Sequence, residues 1–361
     1  MTEVETKLTL LREAMERHGL GAVRLRGVDW FAWATAGGDS AVLHTTETGV
    51  AEVLITPDEA LVLTDLIEAA RLEAEEAPAG FEVWAAQWWH PGERDRAARD
   101  RTGGRPVASD RPTAGEVPLP EEVVRAKRRL LPEEVARYRA LGRDAAEAMT
   151  AALTAAEPDW TERNLAGRGA AELWARGVHP ALVLVGGEGR VARYRHPMPT
   201  TAPLGDRAMM VFCARRHGLY ANLTRFVYFR ATTSEERRLD EAVRAVEAEA
   251  FAHSMPGAVL SEVYRALQDA YERAGHKGAW VWHHQGGTTG YLAREVVAHP
   301  NTDVVIEPDT ALAWNPSLPG AKVEDTVLCT DAGLEVMTAD PIWPTVPSHG
   351  GRLRPDLLVR P

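Results

Sequence analysis

Apolar residues run together or alternate in short stretches through the first third of the chain. "GAVRLRG" (21–27), "SAVLHT" (40–45), "AEVLIT" (51–56) and "ALVLTD" (60–65) have the length and residue types of β-strands. "LIEAARLEAEE" (66–76) instead spaces its apolar residues three and four apart, as a helix does. This part reads as a small α/β unit. From Ala97 to Pro120 the chain turns to Arg, Asp, Gly, Thr and Pro, a composition suited to a connection rather than a core. Helical periodicity then resumes and holds to about Gly177, so a boundary is expected near Glu122, dividing the chain into residues 1–121 and 122–361. Asp159 or Thr161 stands where a short polar side chain caps a helix by accepting from the free N–H groups of its first turn. Strand-like runs at 181–186, 207–216 and 219–229, helices near 234–252 and 259–274, and a β-rich remainder complete an α+β pattern.

Length agrees with two units: the chain has 361 residues, 45% of them hydrophobic, and single cores stop growing at roughly 250–300 residues. The net charge of -11 repels phosphate backbones and anionic lipid, which excludes nucleic acid and membrane surfaces as expected partners. "MTEVETKLTLLREAMERHG" is charged throughout and lacks the apolar stretch of a signal peptide, and no later run approaches the ~18 apolar residues of a membrane span. A cytoplasmic protein is expected. Cys213 and Cys329 lie in apolar runs, where a thiol acts as a small hydrophobe. Trp30, Phe31 and Trp33, and the group Trp88, Trp89 and His90, suit core or interface anchors.

Polar residues with chemical potential gather in five clusters: "RYRHPMP" with His196, "GLYANLTRF" with Asn222, Thr224 and Arg225, "HHQGGTTGYLARE" with His283, His284, Tyr291 and Arg294, "AWNPSLPG" with Asn315, and "KVEDTVL" with Glu324 and Asp325. Most sit at ends of β-like runs, where α/β proteins tend to build sites. The glycines of "GGTTG" suit unusual backbone conformation; a phosphate cradle needs a following helix, and "YLAREVVAHP" is a weak one. Adjacent residues on a strand point to opposite faces, so only one of His283 and His284 is expected in a site, with His284 the structural one.

The order and spacing of these segments resemble the creatinase, methionine aminopeptidase and proline dipeptidase family of pita-bread proteins. "RRLLPEEVARYRALGRDAAEAM" is similar to the family's entry helix, "WTERNLAGRGAAELWARG" to its second helix, "GDRAMMVFCARRHGLYANLTRF" to its strand pair and "KVEDTVLCTDAGLEVMT" to its closing strand. The resemblance implies an α+β pita-bread fold, a smaller N-terminal domain like that of creatinase and aminopeptidase P, and a homodimer. The family's metallopeptidases hold two divalent cations with two Asp, one His and two Glu. Carried over, these positions fall on Val211, Asn222, Gly287, Asn315 and Glu324, and only the last keeps a carboxylate. Two close cations need several anionic ligands, so no dinuclear centre and no cofactor are expected.

Creatinase, as the resemblance implies, cleaves a C–N bond without metal through a histidine that shuttles protons. His196 approximately matches that histidine, with a loop to Gly205 about two residues shorter than usual for the family. His283 falls on the family histidine four residues before the metal ligand. His196, His283 and Glu324 are therefore the expected catalytic residues, and a buried Glu324 without metals is expected to have a raised pKa. Arg225, Arg294, Asn222, Asn315 and Tyr291 are the expected substrate contacts. Replacing two Asp and one Glu leaves the arginines in excess, which points to a small anionic substrate with a C–N bond to cleave, whether amide, peptide-like or amidino. Two rivals stand beside this reading: a non-catalytic peptide- or ligand-binding relative, and an Xaa-Pro peptidase with an improvised metal site of His196, His283, His284 and Glu324.

Overall fold

The computed structural model describes residues 1–348 and 351–361. They form two compact units, Met1–Glu134 and Val135–Pro361. The division falls after Glu134 rather than near Glu122 because the helix Glu121–Arg128 and the turn beyond it stay tied to the first unit. Lys127 places its ammonium 2.8 Å from Asp29, and Glu134 lies 2.7 Å from Lys7, all four side chains being buried. A buried charge without its partner is costly, so these pairs hold the segment in place.

The first unit carries a six-stranded sheet in the order Glu82–Ala86, Ala60–Asp65, Thr48–Ile55, Ala22–Gly27, Val107–Ser109, Glu116–Pro118. Helix Glu3–His18 begins on a reciprocal cap between Thr2 and Glu5. Two expectations fail. Residues 40–45 form no strand, and Val42 and Leu43 are exposed; the strand starts at Thr48. The stretch after Ala97 is no mere connection, since Val107–Ser109 and Glu116–Pro118 extend the sheet in parallel. Trp30, Phe31 and Trp33 are buried on the helix Val28–Ala34, as core residues, whereas Trp88 and Trp89 are exposed.

In the second unit, helix Glu162–Trp174 is capped by Thr161, one of the two expected caps. It packs on a four-stranded sheet of His179–Gly187, Arg207–Arg216, Leu219–Tyr228 and Leu358–Val359. Gly169 allows the approach: a Cβ there would meet Met210 and Phe212 side chains at 2.9 Å. A second sheet orders Val296–Val297, Gly286–Thr289, Thr310–Trp314, Asp325–Thr330 and Gly333–Val336. Helices Ser234–His253 and Leu260–Arg273 cover it through a core that includes Val243, Val246, Leu267, Leu312, Trp314 and Val327. The sheets join where Thr224 bridges Glu324 and the Thr326 hydroxyl accepts from Asn222 N–H at 2.7 Å. No helix among the described residues is long and apolar enough to cross a membrane.

Candidate active site

Strand register gathers the positions singled out by resemblance onto one face. Val211 pairs with Thr224, Asn222 lies two residues before Thr224, and Thr224 bridges Glu324. Thr326, two beyond Glu324, pairs with Ala313, which in turn pairs with Gly287 and precedes Asn315 by two. Residues directly opposed, or two apart along a strand, project to the same side, so all five positions share the face.

The same alternation removes Arg225 from it. Arg225 reaches the opposite side, where its guanidinium donates to Asp325 at 2.7 Å and to the Thr338 carbonyl at 3.0 Å. Arg354 holds the other Asp325 oxygen at 2.7 Å and grips Glu247 with two bonds of 2.6 and 2.5 Å. Two arginines and two carboxylates, all buried, cancel there. The expected substrate contact is thus a fully compensated structural clasp.

Glu324 is 2% exposed and also differs from expectation. Its Oε1 accepts from Arg294 at 2.6 Å, while its Oε2 lies 3.0 Å from the Lys322 ammonium and accepts from the Thr224 hydroxyl at 2.9 Å. Burial alone raises a carboxyl pKa, but the two adjacent cations and their hydrogen bonds outweigh it and hold Glu324 well below the usual carboxylate range. The group stays ionised, and the expected raised pKa is overturned. Lys322 escapes the sequence reading although alternation offers it, because residues 322 and 324 lie two apart. Its sole ion-pair partner among the described residues is Glu324. Lys322, Arg294 and Glu324 together leave one net positive charge.

Next to this trio, His196 Nε2 lies 3.1 Å from His283 Nε2, and His283 Nδ1 lies 3.2 Å from the Ser317 hydroxyl. His283 is buried, while His196 is exposed on the loop after the short helix Glu188–Val191. Only two proton arrangements satisfy this chain. Either Ser317 donates to His283, which donates to His196, or His196 donates to His283, which donates to Ser317. His284 does not turn away as expected, because the chain at 283–284 is not yet in the strand and escapes its alternation; the two rings are 4.7 Å apart. His196, His283 and His284 offer ring nitrogens all within 4.8 Å of one another. Loss of water around the ring lowers the pKa of each, most for buried His283 and less for His196 and His284, helped by Lys322 at His196 and His283 and by Arg294 at His284, which falls to about 4. The three rings are neutral near pH 7.

Asn222 and Asn315 are buried, and each has a side-chain Oδ1 without a hydrogen-bond partner. Asn222 Nδ2 donates to the Thr289 hydroxyl at 3.1 Å. Tyr291 is 1% exposed, in the turn that follows the glycine strand. Burial pushes the thiol of Cys213, opposite Asn222 on the hairpin, up to about 12 and that of Cys329 to about 11, which disfavours the reactive thiolate.

Residues 136–331 match the family model described as metallopeptidase family M24. The chain belongs to that family. A stretch of 131 residues is 25% identical to an uncharacterized peptidase of Staphylococcus epidermidis, covering 34% of this chain and 36% of that one. The chain therefore spans little more than a third of this curated relative. Among solved structures, the fold is similar to an Xaa-Pro dipeptidase from Bacillus anthracis (TM-score 0.79, 16% identity, 99% of both chains) and an X-Pro aminopeptidase from Thermotoga maritima MSB8 (0.79, 15%, 99% of this chain and 100% of that). It is also similar to the N-terminal domain of FACT complex subunit SPT16 from Cicer arietinum (0.70, 12%, 93% and 96%). The M24 fold, α+β and pita-bread, is the one expected.

The M24 dinuclear centre does not fit this chain. Gly287 sits at φ +150, and a Cβ there would lie 2.0 Å from the Val296 carbonyl oxygen, so the backbone admits no ligand side chain at that position. Val211 offers no donor. The one surviving carboxylate is already neutralised by Lys322 and Arg294.

Proposed function

We propose that this M24 chain is an enzyme that cleaves a C–N bond, amide or peptide-like, of a small anionic substrate without the family's dinuclear metal centre. The observation that carries the reading is the pair of side-chain cations on the buried carboxylate: Lys322 and Arg294 lie 3.0 and 2.6 Å from Glu324. One net positive charge in a partly dry site favours an anionic ligand and stabilises negative charge that develops during attack. The orphaned Oδ1 atoms of Asn222 and Asn315 call for donors, which an amide or amine N–H of the substrate supplies.

In this reading a neutral His196 takes the proton of the attacking water as its oxygen bonds to the carbonyl carbon. The same proton, or one relayed through His283 and Ser317, passes to the leaving nitrogen as the C–N bond breaks. Glu324 remains an anion that positions Lys322 and Arg294 and accepts no proton. The test is turnover of small amides, dipeptides and N-acyl amino acids by metal-depleted protein, with His196→Ala and Ser317→Ala alongside. Turnover that survives chelation and falls about 100-fold or more in His196→Ala supports the proposal. Equal turnover in all three proteins removes it, and none with any substrate leaves a ligand-binding relative.

One observation favours a second reading. Three imidazoles with nitrogens within 4.8 Å form a donor set for a single transition-metal ion. A peptidase with a non-standard metal site would then retain one equivalent of metal per chain, lost in His284→Ala.

A further inference from the structure

A cavity of about 1130 Å³ opens beside His196, lined by Arg193, Tyr194, Arg195, His276, Lys277 and Trp282 with neighbouring small and apolar residues. No carboxylate lines it, in a chain whose net charge is -11. Lys277 pairs with Glu272 at 3.2 Å at the rim. Arg195 differs from Arg225, Arg294 and Arg354 in that its guanidinium has no ion pair or hydrogen bond with any described residue; its buried Nε has no acceptor. Arg225 and Arg354, by contrast, each meet a carboxylate at 2.7 Å. An uncompensated, partly desolvated guanidinium costs free energy that a planar oxyanion recovers through paired hydrogen bonds. Tyr194 and Trp282 expose their rings at the same place and offer apolar surface for the body of a ligand.

We propose that this cavity is a second anion subsite, so that the substrate carries two acidic groups, a carboxylate on Arg195 and Arg193 and another beside Lys322 and Arg294. An acidic dipeptide or an N-acyl derivative of an acidic amino acid has that chemistry. The inference rests on the reading of the histidine cluster as a substrate site, but its test requires no turnover.

Full-length protein is titrated calorimetrically with acetate, succinate, glutarate, adipate and inorganic phosphate at constant ionic strength, with Arg195→Gln and Arg193→Gln alongside and circular dichroism to confirm that each is folded. The dicarboxylates are expected to bind more tightly than acetate, with an optimum chain length, and Arg195→Gln to weaken them about tenfold or more. Equal binding by wild type and a folded Arg195→Gln overturns the subsite. Binding of phosphate but not of any dicarboxylate overturns the two-carboxylate substrate. Dicarboxylate binding by a protein that turns over no C–N substrate supports the subsite and defeats the proposed reaction alone.

Discussion

Replacing Glu324 by Gln removes the one anion between two buried cations. Lys322 and Arg294 are 4% and 14% exposed at their side chains, and Glu324 is 3% exposed, so little water is on hand to solvate the charges left behind. Breaking a buried pair by removing one partner costs about 3–5 kcal/mol, and here both cations lose their carboxylate, so the upper part of that range is expected. At about 2–4 °C per kcal/mol for a unit of this size, a loss of about 4–5 kcal/mol should lower the melting temperature by about 8–20 °C. The loss should depend on pH in a defined direction. Glu324 has a depressed pKa in the folded chain, so its contribution is present above the unfolded carboxylate value and is lost as pH falls through the lower folded value. Wild type and Glu324→Gln should therefore differ most above about pH 5 and converge as the pH is lowered below about 4. Denaturant titrations at pH 7, 5, 4 and 3 measure the gap. A difference below about 0.5 kcal/mol at pH 7 would refute the coupled trio, and a gap that widens in acid would refute the depressed pKa.

Four further outcomes follow from the same geometry. Gly287→Ala should destabilise by roughly 2–4 kcal/mol, since its Cβ would lie 2.0 Å from a carbonyl oxygen, and Gly287→His should not create a metal site; denaturant midpoints and elemental analysis check both. Arg354→Met should cost about 3–5 kcal/mol by stranding Glu247 and leaving Asp325 to Arg225 alone, measured by the same unfolding assay. His283 and His284 have lowered folded pKa values, so they contribute stability above the unfolded value near 6.5 that is lost as pH falls, and NMR should find neither ring titrating between pH 6 and 8. Native protein at pH 8 should react with a thiol reagent negligibly, while unfolded protein should yield two equivalents, because Cys213 and Cys329 are held near 12 and 11.

Long apolar runs and helix caps made the second unit legible: the strands at 207–216 and 219–228 follow from local pattern, which also narrows the cap to Asp159 or Thr161. The strands at 107–109 and 116–118 did not, because three residues among Arg, Gly and Pro carry no period, and pairing with a neighbouring edge makes them strands. At the site, the segments singled out by resemblance share one sheet face, and strand alternation decides which of their side chains point to it. It moves Arg225 into the clasp with Asp325 and brings Lys322 beside Glu324. It fails for His284, which stands one step outside the regular strand. The unpaired state of Arg195 has no signature in sequence, since the residue reads like any of the many arginines whose carboxylate partners arrive from distant segments.

The clasp around Asp325 also ties the folding of the second unit to residues far along the chain. Its second arginine is Arg354, and the strand Leu358–Val359 adds the edge beside Leu219–Tyr228. Until those residues have left the ribosome, Asp325 and Glu247 face an interior with half their positive charge missing. The helices and hairpins made earlier are then expected to stay incompletely packed. A nonsense mutation shortly before Arg354 should therefore act as a folding defect of the whole unit, not as loss of a dispensable tail.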